Sequence, residues 1–183
     1  MVQDSELTLA PDGTLYHIRL NASTLADNVI LVGDPGRVEM FKPMFSSIEH
    51  ESYNREMHAI TGLCQGKPLT VLSTGMGTDN IDIVMTELDA CANMDLATRC
   101  PKAEHRTLNI VRIGTSGSLQ AAIPCGSLVA SAYAVGLDGL LNYYEHTPSN
   151  LERELTNHIV AHLNLPAAFA KPYGARASQQ LIT

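Results

Sequence analysis

Three short apolar runs along the chain each break off into small, glycine-containing residues. Val29-Ile30-Leu31-Val32 leads into Gly33-Asp34-Pro35-Gly36-Arg37, and Leu69-Thr70-Val71-Leu72-Ser73 leads into Thr74-Gly75-Met76-Gly77-Thr78. Asn109-Ile110-Val111-Arg112-Ile113 leads into Gly114-Thr115-Ser116-Gly117. Runs of this length bounded by turn residues predict buried strands. Between the second and third, Ile81, Val84, Met85, Leu88 and Ala92 recur at helical spacing, which predicts a helix over 79–95 with Thr78 or Asp79 as its N-cap. Weaker patterns predict a short helix over 38–45, a strand over 127–135 and a helix over 151–163. That last helix has Ser149 and Glu152 at capping-box spacing before it and Pro166 to end it. Residues 93–108 read as a polar surface connection, and 177–183 as an element only begun. The order is strand, helix, strand, helix, strand, strand, helix, an α/β chain that at 183 residues forms one domain over 1–183.

Two of the three junctions carry an arginine, Arg37 and Arg112. A charge on a buried strand needs a partner or a ligand. Gly33, Gly114 and Gly117 let the backbone turn sharply, while Thr115, Ser116 and loop amides can donate to phosphate oxygens. Three such junctions predict one polyanion pocket at the carboxyl ends of neighbouring strands. The amino end of the 79–95 helix, pointing at Gly75-Met76-Gly77, adds free amides and a favourable dipole.

Charge sharpens this picture. The chain has 12 basic and 19 acidic residues, a net charge of −7, which disfavours a nucleic-acid partner because phosphate backbones are met by basic faces. Eight of the 12 cations are arginine, which suits a focused small-anion site. No apolar run approaches the ~20 residues that span a bilayer. The first residues lack the basic and apolar segments of a secretory signal, so a membrane role is not expected and the cytoplasm is the expected compartment. Cys64, Cys91, Cys100 and Cys125 are widely spaced and read as reduced thiols, with no zinc-site spacing.

Gly33-Asp34-Pro35-Gly36-Arg37-Val38, Ser73-Thr74-Gly75-Met76-Gly77 and Arg112-Ile113-Gly114-Thr115-Ser116-Gly117, in this order, resemble the hexameric-type nucleoside phosphorylase family, nearest its uridine phosphorylases. Arg55-Glu56 before Gly66-Lys67-Pro68, and Asp138-Gly139-Leu140-Leu141, also match, and the resemblance runs from Tyr16 onward. It implies an α/β fold with a mixed central β-sheet flanked by helices. It also implies a pentosyltransferase of pyrimidine salvage: inorganic phosphate, the co-substrate, attacks C1′ of a nucleoside and releases the base and a pentose 1-phosphate. Gly33, Arg37, Arg112 and Thr115 would hold the phosphate, Arg37 and Arg112 serving catalysis. Subunits of such enzymes pair, which implies a dimer-based homo-oligomer such as a dimer or a hexamer. From the partner subunit, Arg55 would reach the phosphate and His17 the sugar 5′-hydroxyl. Met76 would lie against the ribose, and Ser116 and Gly117 would border the base. No cofactor is implied beyond a monovalent cation near Glu56, Met76 and Asn80. Forked arginines aligning the anion below C1′ would supply most of the catalysis, without a dedicated side-chain base.

The family's Gln-x-Arg motif for the base and Glu-Met-Glu motif for the ribose hydroxyls do not occur. The resemblance therefore implies a chain incomplete at its carboxyl-terminal side, with sheet edges and apolar faces left uncovered. Other readings stay open. One sets Arg37 and Arg112 against Asp34, Glu39 or another acid as structural ion pairs, and another makes the chain a non-catalytic phosphate-binding or dimerisation module of the same fold. A nucleosidase of this fold would not need the two arginines. Gly75-x-Gly77 lacks the third glycine and distal acid of a dinucleotide fingerprint. His158 and His162 read as a solvated helix face, and Met76, Met85 and Met94 as packing residues.

Overall fold

In a computed structural model, which describes residues 2–166 and 168–182, the chain divides into two compact units, Met1–Thr115 and Ser116–Thr183. The first unit is built on a five-stranded sheet of order β2-β3-β4-β1-β7, formed by β1 (Asn28–Val32), β2 (Phe45–Asn54), β3 (Met57–Cys64), β4 (Lys67–Ser73) and β7 (Asn109–Ile113). β1 runs parallel to β4 and β7, while β2, β3 and β4 are antiparallel neighbours, so the sheet is mixed as expected. β5 (Met94–Asp95) and β6 (Cys100–Pro101) form a small separate ribbon inside the predicted surface connection.

Alternation along the central strands sends side chains to two cores. On one face Val29, Leu31, Ala59 and Leu72 pack with Val84, Leu88 and Cys91 of α2 (Thr78–Asn93) and with Leu15, Ile18 and Leu20 of the amino-terminal segment. On the other face Val32, Ile60 and Val71 pack with Val38 and Phe41 of α1 (Pro35–Phe41). Burial on both faces is why β1 and the end of β4 read as continuous apolar runs.

Several sequence expectations shift. α1 begins at Pro35, with the Asp34 side chain capping it by accepting from Gly36 N–H at 2.7 Å, and Lys42–Met44 continues as a 3-10 turn. The residue capping α2 is Gly77, at φ 100°, rather than Thr78 or Asp79, and no side chain caps it. The β2–β3 hairpin was not expected, because β2 is a polar edge strand and Gly62 interrupts β3. Gly62 is required there: a Cβ would stand 2.0 Å from the Ser47 carbonyl oxygen, beside a bulge in β2. β7 is not a buried strand. Among the described residues it pairs only with β1 and its side chains are largely exposed, so Arg112 sits at an open margin rather than in a core.

In the second unit, β8 (Tyr133–Gly136) pairs antiparallel with β9 (Tyr173–Arg176). The expected strand over 127–135 is shorter because its partner offers only four residues. α3 (Asn150–Leu163) starts on the predicted capping box, with Glu152 N–H donating to Ser149 Oγ at 3.3 Å and Ser149 N–H to Glu152 Oε2 at 2.7 Å. The helix stops at Asn164, in the left-handed region at φ 45°, ahead of Pro166. β9 is tied to α3 by Gly174 N–H to Thr156 Oγ1 and Arg176 N–H to Glu152 Oε1, and α4 (Gln179–Ile182) follows. Apart from Pro172, none of the buried apolar side chains among the described residues belongs to this unit, and Leu119 and Leu128 are fully exposed. Uncovered apolar surface is what the sequence led us to expect.

Candidate functional site

The parallel arrangement of β4, β1 and β7 sets the three glycine junctions side by side at one edge of the sheet. Val32, the last residue of β1, is flanked in register by Ser73 and Ile113, the last residues of β4 and β7. Thr74 N–H donates to the Val32 carbonyl at 2.8 Å and locks the second junction to the first. The Arg112 guanidinium folds over this edge: a Cβ on Gly33 would lie 3.7 Å from its Nη2 and 3.8 Å from the Gly75 carbonyl, and one on Gly114 would lie 2.6 Å from its Nη1. Gly33, Gly75, Arg112 and Gly114 thus converge, as predicted from the strand ends. Arg37 rises from α1 directly after the first junction, half-buried, and Thr115 follows Gly114, exposed.

The arginines divide into two sets. Arg99 bonds the Leu7 carbonyl and Asp4, Arg106 bonds Asp27 and the Leu25 carbonyl, Arg153 bonds the Pro148 carbonyl and Asn150, and Arg176 bonds Gln179. Among the described residues the guanidiniums of Arg37, Arg112, Arg55 and Arg19 make no hydrogen bond or ion pair. The acids named as structural partners are engaged elsewhere, Asp34 in capping α1 and Glu39 on Lys42 at 2.9 Å. In a chain of net charge −7, guanidiniums without acidic partners have the chemistry to accept an external anion, and that of Arg112 stands on the glycine-lined edge.

Arg55 stands exposed in the β2–β3 turn at φ 55°, its guanidinium carbon 5.9 Å from the Tyr16 ring centre, and Arg19 lies 5.4 Å from the same ring. Next to Arg55, Glu56 accepts from Asn80 Nδ2 at 2.8 Å. Bonding to its own backbone amide, then to Asn80, holds its carboxyl below the usual range. Glu56 and Asn80, matched to a cation position, are therefore adjacent, whereas Met76 is 90% exposed and packs against nothing substantial. His17 lies against α2 with its Nδ1 2.6 Å from Glu87 Oε1. Ser116 and Gly117 belong to the second unit, where they line an open hollow of about 630 Å³ with Leu119, Ile123 and Pro124.

Two features escaped the sequence reading. Glu87 is a buried carboxylate serving a segment 70 residues away, and only its place among the apolar positions of α2 could have signalled it. Glu39, Glu51 and His58 converge from α1, β2 and β3, the one such grouping of potential metal ligands among the described residues. Lys42 Nζ, 2.9 Å from Glu39 and 2.7 Å from Glu51, already supplies the cation, lowering the Glu51 carboxyl and raising its own pKa. His158 lies 3.7 Å from Glu154 on an exposed helix face.

A sequence model of the family described as the phosphorylase superfamily matches residues 27–182. Curated uridine phosphorylases of Thermococcus kodakarensis and Treponema pallidum are 30% and 33% identical over 73% and 70% of this chain, and 43% and 45% of their own length. A DeoD-type purine nucleoside phosphorylase of Thermoanaerobacter is 32% identical over 69% of this chain and 48% of its own. The chain thus spans less than half the length of these curated relatives. Among solved structures, a Trypanosoma brucei nucleoside phosphorylase described as showing uridine phosphorylase activity superposes with a TM-score of 0.84 at 32% identity, over 96% of this chain and 59% of that one.

Proposed function

Because the chain belongs to the phosphorylase superfamily, we propose that it serves reversible phosphorolysis of a nucleoside, with uridine as the substrate, and that residues 27–115 build the phosphate-holding side of the site. The observation that supports this reading is Arg112, whose guanidinium lies beside Gly33 and Gly114, with Arg37 on the helix that follows the first junction, both without an acidic partner among the described residues. Inorganic phosphate would sit on the Gly33 loop, held by the two arginines and by Thr115, with its attacking oxygen aimed at C1′. Cleavage of the N-glycosidic bond builds positive charge on the sugar, and an anion aligned beneath it stabilises that charge without a separate base. Uridine is preferred to purine nucleosides on the relatives named above. The reading places the protein in cytoplasmic pyrimidine salvage as a dimer-based homo-oligomer, with no nucleic acid and no membrane partner. Arg55 of one subunit would complete its neighbour's phosphate site, His17 would meet the sugar hydroxyl, and Met76, Ser116 and Gly117 would line the nucleoside. No helix among the described residues is long and apolar enough to cross a membrane.

A second reading is favoured by the chain's share of its relatives' length: a module that binds phosphate without turning over nucleoside. One experiment separates the two. Uracil release from uridine is measured with and without phosphate, beside phosphate binding by calorimetry, for the 183-residue chain and Arg112→Ala. Phosphate-dependent release abolished by the substitution supports the enzyme. Binding lost in Arg112→Ala without any release supports the module, and binding unaffected by the substitution refutes both.

A further inference from the structure

Glu87 lies on the buried face of α2, between Val84 and Leu88, and is 8% exposed. A carboxylate there is costly unless its oxygens are occupied. They are occupied by one segment of the chain. The His17 amide donates to Oε2 at 3.1 Å, the Ile18 amide to Oε2 at 2.9 Å, and His17 Nδ1 lies 2.6 Å from Oε1. Asn54 Nδ2 fixes the same segment from the hairpin, donating to the carbonyls of Tyr16 at 2.9 Å and His17 at 3.2 Å. The Tyr16 ring meets the imidazole edge-on at 4.9 Å.

Backbone bonds alone would make Glu87 a staple for residues 16–18. The ring contact does more. A nitrogen facing a carboxylate oxygen carries the proton, so Nδ1 is the N–H and the imidazole's rotation is set. Nε2 makes no hydrogen bond among the described residues, and the side chain is 24% exposed. We propose that Glu87 is a positioning residue: it fixes the tautomer and orientation of His17 so that Nε2 is presented to the 5′-hydroxyl of a nucleoside held by a second copy of this chain. Second-layer carboxylates orient metal-bound and catalytic histidines in the same way. The functional half of this inference rests on the proposed contact of His17 with the sugar.

The two halves are tested separately on the whole chain. Long-range proton–nitrogen NMR of the neutral His17 ring, assigned by His17→Ala, should show Nδ1 protonated, and Glu87→Gln should redistribute the proton towards Nε2. Protonation at Nε2 in the unsubstituted chain overturns the proposal, whatever the nucleoside does. Binding of uridine and 5′-deoxyuridine is then compared in the presence of phosphate. One hydrogen bond should make uridine about 5- to 10-fold tighter, and both His17→Ala and Glu87→Gln should abolish that preference while leaving 5′-deoxyuridine affinity unchanged. Equal weakening of both ligands by Glu87→Gln shows a structural staple and overturns the proposal. A preference that survives His17→Ala refutes the sugar contact itself, and with it the functional half. Glu87→Gln keeps the size of the side chain, and its far-UV circular dichroism must match the parent for the comparison to be made.

Discussion

Replacing Gly75 by alanine drives a methyl group between Glu56 and Asn80. The new Cβ would stand 2.5 Å from Glu56 Cγ and 2.6 Å from Asn80 Nδ2, on a backbone at φ 68°, whereas those two side chains now bond at 2.8 Å. Gly66 supplies the control, since its φ is 75° and nothing lies within 4 Å of a Cβ there. Alanine in the left-handed region costs about 1–2 kcal/mol. A stiffer unfolded chain offsets about 0.4–1 kcal/mol of this. Gly66→Ala should therefore cost about 1 kcal/mol or less. Gly75→Ala bears the same backbone cost and also pushes Glu56 off Asn80. A hydrogen bond to a charged group contributes about 1.5–3 kcal/mol, and the half-exposed position of Glu56 brings this to the lower figure. The total for Gly75→Ala is then about 2–3 kcal/mol. Urea unfolding followed by far-UV circular dichroism reads these losses in a chain without tryptophan. Asn80→Ala and the double variant complete a cycle, in which the double should lose about 1 kcal/mol less than the sum because both changes break one bond. Equal losses at Gly66 and Gly75, or strict additivity with Asn80→Ala, would refute this account of how the edge is packed.

Gly62→Ala forces a Cβ within 2.0 Å of the Ser47 carbonyl, so β2 must peel from β3; a loss of about 2–3 kcal/mol and weakened amide protection across the hairpin are expected, and a neutral result would contradict the close approach. Burial pushes the Cys91 thiol up to about 12, so iodoacetamide at neutral pH should spare Cys91 until the chain unfolds while labelling the exposed Cys125 at once, as peptide mass mapping can show. Bonds from the Ser149 hydroxyl and amide, then from the Arg176 amide, lower the Glu152 carboxyl from 4.5 to about 2. A depressed acid stabilises fully above its unfolded pKa, so the start of α3 should hold above about pH 4.5 and loosen as pH falls towards 2. Amide exchange at residues 150–153 follows this, and Glu152→Gln should remove most of the pH dependence.

Local physics was legible in the sequence. The three apolar runs that end in glycine, the helical spacing through Ile81, Val84, Leu88 and Ala92, and the Ser149–Glu152 capping box each express interactions between residues close in the chain, and each element formed within a few residues of its expected bounds. The junction motifs also foretold that the three glycine turns share one edge of the sheet, because parallel strands carry their carboxyl ends together. Pairing partners were not legible. β2 looks polar because only one of its edges and part of one face are covered, and β3 looks interrupted because Gly62 makes room for a carbonyl on β2. Nothing near Glu87 in sequence announces the two amides and the imidazole it receives from residues 17 and 18. Nor does the sequence tell which arginines are free. Arg99 and Arg106 look no different from Arg37 and Arg112 until the fold brings Asp4 and Asp27 to the first pair and turns Asp34 and Glu39 to other work. The sequence by itself determined where strands, turns and caps arise, since these follow from burial period and backbone sterics over a few residues. Only the tertiary structure decided which charges remain unmatched at the glycine edge, because that depends on which acids, tens of residues away, the packed sheet brings within bonding distance.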